Sequence, residues 1–237
     1  MARLPRISLP GIPQHVVQRG NNRLPCFLDD GDRLRYLHSL RDALNHADCR
    51  LHAYVLMDNH VHLLLTPVAA DSIARLMQRL GRNYVGLFNG RHGRTGTLWE
   101  GRYKACLVDS DDYLLRCYRY IELNPVRAAI TDDPANYRWS SCQANLGLRP
   151  HSGLSPHPAF LALGSTDGER IAAYRALLHE TLNPEDLEII RLYLQQQRAL
   201  GNAPFQAMVQ AKVRRFAAAR PAHRPRKAAS SPAGEPQ

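Results

Sequence analysis

The 237-residue sequence predicts an α+β fold: an antiparallel sheet with helices on one face, plus a C-terminal helical extension. Two patterns carry that prediction. Up to about Val108, segments that alternate with a period of two are interleaved with long stretches of helical spacing. Past about Gly147 the composition turns rich in Gly, Pro and His, and helical spacing alone follows.

Gln14-His15-Val16-Val17-Gln18-Arg19 alternates and reads as the first strand, with Gly20-Asn21-Asn22 marking a turn. From Asp29 to about Ala47, Leu34, Leu37, Leu40 and Leu44 recur at helical spacing. Arg50 to Met57 is a second strand. The Asp58-Asn59 pair is a hairpin signal into a third, His60 to Thr66, so the two strands should pair antiparallel. Asp71-Ser72 offers an N-cap to a helix striped by Ile73, Leu76, Leu80, Tyr84 and Leu87, with Arg75, Arg79 and Arg82 on its flank. Thr97 to Val108 reads as a strand with Arg102 and Lys104 on one face. Ser110-Asp111-Asp112 should cap a helix running to about Leu123, and a short helix Pro125–Ile130 should follow. The order strand, helix, strand, strand, helix, strand, helix is close to the ferredoxin-like or split βαβ pattern. Helices are expected over Asp167–Thr181, over Pro184–Leu200 with Asn183 as N-cap and Gly201 as stop, and over Pro204–Ala218. The implied organisation is an α+β domain over residues 1–147, a helical extension over 148–219 and a basic disordered tail over 220–237.

A formal charge of +10 points to a polyanionic partner, most simply nucleic acid. No apolar run approaches the roughly 20 residues that span a bilayer, which argues against a membrane partner. The N-terminus lacks the apolar core of a secretory signal, so a cytoplasmic location is expected. The five cysteines are odd in number and lack CxxC spacing. Reduced, mostly packed thiols are expected rather than disulfides or a zinc site.

Chemistry concentrates in two places. In the strand Met57-Asp58-Asn59-His60-Val61-His62-Leu63-Leu64, a period of two puts His60 and His62 on one face, able to present two nitrogens to one metal ion. A bare HxH is more often a pair of surface histidines on a half-exposed strand. In the helix Tyr113 to Asn124, Tyr120 and Asn124 are i, i+4 neighbours, aimed at the same small volume. His60, His62 and the Asn124 carbonyl make a partial ligand set for Mg²⁺ or Mn²⁺, leaving positions for phosphate and water. Tyr120 could then attack phosphorus. A phenol is a poor nucleophile at neutral pH and needs the ion or a cation such as Arg116 beside it. Each residue has a plainer reading. Tyr120 could be core, Asn124 could be the N-cap of the helix beginning at Pro125, and Tyr113 and Tyr118 compete as nucleophiles. Trp99 reads as core rather than a base-stacking platform.

Asp58-Asn59-His60-Val61-His62-Leu63-Leu64, then Trp99-Glu100-Gly101-Arg102-Tyr103-Lys104, then Tyr120-Ile121-Glu122-Leu123-Asn124-Pro125-Val126-Arg127-Ala128 resemble the REP-associated tyrosine transposases, members of the HUH single-tyrosine (IS200-like) superfamily. The resemblance covers roughly Gly11 to Ser141. It implies a ferredoxin-like catalytic domain, divalent-metal-dependent cleavage of single-stranded DNA, and recognition of palindromic hairpins beside a guide tetranucleotide. His60 and His62 match the metal pair, Tyr120 the nucleophile, and Asn124 the third ligand, where related transposases often carry Gln. The expected function is a metal-dependent (Mg²⁺ or Mn²⁺) DNA endonuclease and strand transferase acting through a 5′-phosphotyrosine. Arg102, Lys104, Arg116 and Arg127 are the expected DNA contacts, and a monomer is expected by analogy. The rivals are a hairpin-binding regulator without catalysis and a metal-dependent phosphodiesterase that uses water.

Overall fold

In the computed structural model, which describes residues 6–110, 113–150, 153–180 and 182–220, the chain opens with strand β1 (Gln14–Arg19) and helix α1 (Asp30–Ala47). The hairpin β2 (Cys49–Met57) and β3 (His60–Pro67) follows, then α2 (Ser72–Arg91) and β4 (Lys104–Val108). Helix α3 (Leu114–Glu122) runs almost directly into α4 (Asn124–Arg127). Beyond them come the short α5 (Cys142–Asn145) and α6 (Pro158–Leu161), then α7 (Asp167–His179), α8 (Pro184–Gln196), β5 (Ala199–Leu200) and α9 (Ala203–Val213).

The strands form one sheet in the order β2-β3-β1-β4-β5. β2 pairs antiparallel with β3 from Met57↔His60 upward, as the Asp58-Asn59 turn dictates. β1 lies between β3 and β4, antiparallel to both. The α+β class therefore holds, with two corrections to its detail. The sheet is mixed, because β5 pairs parallel with β4. Helices also cover both faces rather than one. Val16, Tyr54, Leu56, Val61, Leu63 and Leu65 pack with the apolar stripes of α1 and α2. The alternate positions Ala53, Val55, Leu64, Cys106 and Val108 pack with α3 and with Tyr174, Ile190 and Leu194 from the extension. A sheet whose strands are apolar on both sides needs two covers, and the extension supplies the second.

Several boundaries move for local reasons. Asp29 caps α1 by accepting from the Asp32 amide at 3.0 Å. The strand expected over 97–108 begins only at Lys104, since Gly101 sits at φ 130° and breaks the extended run. The helix expected to reach Leu200 stops at Gln196, where Gln197 turns left-handed at φ 55°; Ala199 and Leu200 then enter the sheet. The short helix after Asn124 ends at Arg127, ahead of Ala129 at φ 53°. Asn183 and the stop of α7 near His179 follow the expectation. The capping role read for Asp111 and Asp112 lies outside the described residues, as does the tail past Arg220. All five cysteines are free, and only Cys49 is partly exposed. Among the described residues no helix is long and apolar enough to cross a membrane.

Two buried polar groups bind the layers together. The Glu122 carboxylate at the end of α3 accepts from Ser141, from Asn145 Nδ2 at 2.7 Å and from Tyr174 Oη at 2.7 Å. Burial pushes its carboxyl up to about 6, against the pull of those donors. Helix α3 and the extension therefore share a core. His52 on β2 bridges the Ser155 carbonyl at 2.6 Å and the Thr66 hydroxyl at 2.7 Å. Burial lowers the His52 imidazole from its ordinary 6.5 to about 4. A histidine held neutral in the fold stabilises fully above 6.5, and that stability is lost as pH falls toward 4. In wild type this contribution should reach up to about 3 kcal/mol, one pKa unit being about 1.36 kcal/mol. Urea melts of wild type and His52→Gln at pH 7 and pH 4.5 check this: the gap between them should narrow in acid.

Candidate active site

The β1–β3–β4 register brings the polar residues of three strands into one row. Arg19 pairs with His60, Val17 with both His62 and Lys104, and His15 with both Leu64 and Cys106. Because side chains alternate, His15, Val17, Arg19, His60, His62 and Lys104 share one face, the face that α3 covers. Helix α3 lays Tyr120 over it. The Tyr120 ring centre is 5.8 Å from that of His62 and 5.6 Å from that of His15, both edge-on. The His60 and His62 rings lie 5.1 Å apart and nearly perpendicular.

His60, His62, Tyr120 and Asn124 open into one cleft of about 840 Å³, bordered also by Arg19, Arg23, Arg102 and Lys104. Of the sequence-predicted residues, the structure brings six together there: His60, His62, Tyr120, Asn124, Arg102 and Lys104. Arg127 lies behind them, its guanidinium 4.4 Å from the Tyr120 ring centre and hydrogen-bonded to the Tyr120 carbonyl. Burial lowers the Arg127 guanidinium to about 10, while the neighbouring Tyr120 phenol raises it. Arg116 is placed elsewhere. It pairs with Asp186 at 2.7 Å and lies over Tyr113, outside the cleft lining. Tyr118 is core, stacked on Phe160, and Trp99 is core as expected, joined to Tyr36 and Tyr84.

The protonation pattern follows from the hydrogen bonds. Asn59 Nδ2 donates to the Arg23 carbonyl at 3.1 Å, which leaves its Oδ1 facing His60 Nδ1 at 2.7 Å. An amide oxygen only accepts, so His60 Nδ1 carries the proton and Nε2 keeps its lone pair. His62 Nδ1 meets His15 Nε2 at 2.7 Å. Burial holds all three imidazoles neutral at pH 7, with His60 at about 4, His15 at about 3 and His62 well below its ordinary value. One ring of the His15–His62 pair must donate to the other. Donation from His62 Nδ1 leaves the His62 lone pair on Nε2, as in His60. The Asn124 side chain caps nothing: Leu123 occupies the cap position of α4, without a side-chain bond. The expected alternative for Asn124, capping the helix at Pro125, is therefore not its use here.

Two neutral imidazoles with free Nε2 atoms and an uncommitted amide fit a divalent ion that completes its shell with water and phosphate. Among the described residues no group of three or more His, Cys, Asp or Glu side chains is placed to hold a metal ion, so a third protein ligand would have to be the Asn124 amide. His15 and Arg191, which also lines the cleft, escape sequence reasoning. The alternation of β1 put His15 on the same face as Arg19, but which neighbour it meets depends on strand register.

Residues 9–124 match the family described as IS200-like transposases. A solved structure of a REP-associated tyrosine transposase bound to a REP hairpin overlays with TM-score 0.54 at 16% identity, covering 67% of this chain and 96% of that one. A second, from Deinococcus radiodurans R1 and assigned as a transposase, covers 54% of this chain and 92% of that one at 21% identity. Its TM-score of 0.36 is too low to define a common fold. No curated protein matches in sequence. The matched segment, which ends on Asn124, supports the class of a transposase, an enzyme of DNA cleavage and joining. The match to the IS200-like transposase family thus covers just under half of the chain.

Proposed function

We propose that the protein is a metal-dependent endonuclease and strand transferase for single-stranded, hairpin-bearing DNA, with Tyr120 as nucleophile. The observation that carries this reading is the convergence of Tyr120, His60, His62 and Asn124 in one cleft bordered by unpaired cations. Arg19, Arg102 and Lys104 have no carboxylate partner among the described residues, whereas Arg33, Arg79, Arg91 and Arg116 all do. A row of cations without counter-ions suits a phosphate backbone.

Tyr120 Oη attacks phosphorus as its O–H bond breaks, and the proton passes to solvent. The bond from phosphorus to the 3′ oxygen of one DNA segment breaks, and that oxygen leaves as a 3′-hydroxyl after taking a proton. The other segment stays on Tyr120 as a 5′-phosphotyrosine, a phosphodiester that a later 3′-hydroxyl can reopen without ATP. Arg127 lies against the ring face and holds a cation beside the attacking residue. A Mg²⁺ or Mn²⁺ ion held by His60, His62 and Asn124 would polarise the scissile phosphate and neutralise its charge. The hairpin preference rests on the structurally similar transposase bound to a REP hairpin.

The test is a covalent adduct. With Mn²⁺ and a 5′-tailed hairpin oligonucleotide, a fraction of the protein should migrate more slowly on denaturing gels, and digestion should map the nucleotide to Tyr120. Nicking without adduct would instead mean attack by water. Binding with neither nicking nor adduct would mean a regulator.

A further inference from the structure

Only part of the cleft belongs to the segment matched by the family. Helix α8, more than 50 residues past its end, supplies Arg191 and Gln195, and Gln197 follows just beyond the helix. Arg191 and Gln195 are one turn apart and both exposed, while Ile190 and Leu194 of the same helix are buried in the core. Docking those apolar residues turns the polar pair toward the cleft.

Three arginines of α3 and α7 are neutralised. Arg116 pairs with Asp186, Arg119 with Glu180 and Arg170 with Asp167. Arg191 meets no carboxylate and no hydrogen-bond acceptor among the described residues. It lies close enough to Arg127 to lower that guanidinium further, so two cations approach each other next to Tyr120. One of the Arg127 terminal nitrogens is buried with no partner. Among the described residues Glu100 is the single acid on the cleft lining. The carbonyl end of α8 also disfavours an anion, so any negative ligand there depends on Arg191.

We propose that α8 gives the cleft a phosphate-binding subsite, Arg191 assisted by Gln195 and Gln197, which holds the backbone of a single-stranded DNA segment beside Tyr120. The proposal rests on the DNA-cleaving function put forward above. The backbone is the ligand rather than the bases because α8 brings no aromatic side chain to the cleft lining. The chain's own C-terminus is a poor occupant, since Arg224, Arg226 and Lys227 repeat the charge of the site.

Fluorescence anisotropy of the full-length protein with a labelled oligodeoxythymidine strand, titrated with KCl, tests this. Arg191→Gln should weaken binding roughly tenfold, the loss of one charge-assisted contact. The slope of log K against log salt should flatten by about 0.7, one phosphate on a single strand. Arg191→Lys should keep the slope, and the exposed position should leave the melting temperature unchanged. Unchanged affinity and slope in Arg191→Gln, beside a clear loss in Arg102→Gln, would overturn the subsite and leave the parent function standing. A loss of affinity without a change in slope would also overturn it. If wild type shows no salt-dependent binding, the parent reading falls and the subsite with it.

Discussion

Tyr120→Phe is expected to remove the protein–DNA adduct entirely and to lower strand cleavage by roughly a thousandfold or more, the scale for deleting a covalent nucleophile. The substitution deletes one oxygen and keeps the ring, so the edge-on contacts with His15 and His62 and the stacking of Arg127 should persist. Single-strand binding should therefore change little, and the melting temperature should stay close to wild type. Cleavage by the variant at an undiminished rate would exclude Tyr120 as nucleophile and favour activated water.

The second large effect is expected at His15. This residue touches no solvent, yet its Nε2 sits 2.7 Å from His62 Nδ1. Under the proposed metal-dependent function it is a positioning residue: by accepting the His62 proton it keeps the lone pair on Nε2, toward the ion. Outer-shell partners of this type are worth about 10- to 100-fold in metal affinity. His15→Ala should lower Mn²⁺ affinity by that factor, read by calorimetry or by the Mn²⁺ paramagnetic signal in the absence of DNA. His15→Gln, whose amide oxygen can accept the same proton, should recover part of it. Equal affinity in wild type, His15→Ala and His15→Gln would reduce His15 to packing.

What could be read from the chain follows the range of each interaction. The facing of His60 and His62 needs only the two-residue period of one strand, and the nearness of Tyr120 and Asn124 only a four-residue spacing across the α3–α4 junction. Both are local, and the sequence suffices for them. His15 is different. Its partner is 47 residues away and is fixed by the β1–β3 register, which no local pattern specifies. Arg116 shows the reverse error. It shares a helix stripe with Tyr120, but Asp186 of α8, 70 residues on, takes its charge, and Arg127 takes the place beside the phenol. β5 escaped because two apolar residues after a helix look like its last turn until the αL residue Gln197 is seen. Asn124 stayed open in the sequence since an Asn before Pro suits a cap; the observed cap at Leu123 frees its side chain.

The parallel pairing of β5 with β4 bears on how the molecule can be cut. β4 would otherwise be a short outer strand, apolar past Lys104, with Ala105, Cys106, Leu107 and Val108 all buried. An uncovered strand of that kind is a template for pairing with another chain. Leu107 N donates to Arg198 O and Asp109 N to Leu200 O, so the extension satisfies amides that would otherwise be open to a second molecule. The family-matched segment alone would carry an adhesive border, and the C-terminal region serves as its seal against self-association.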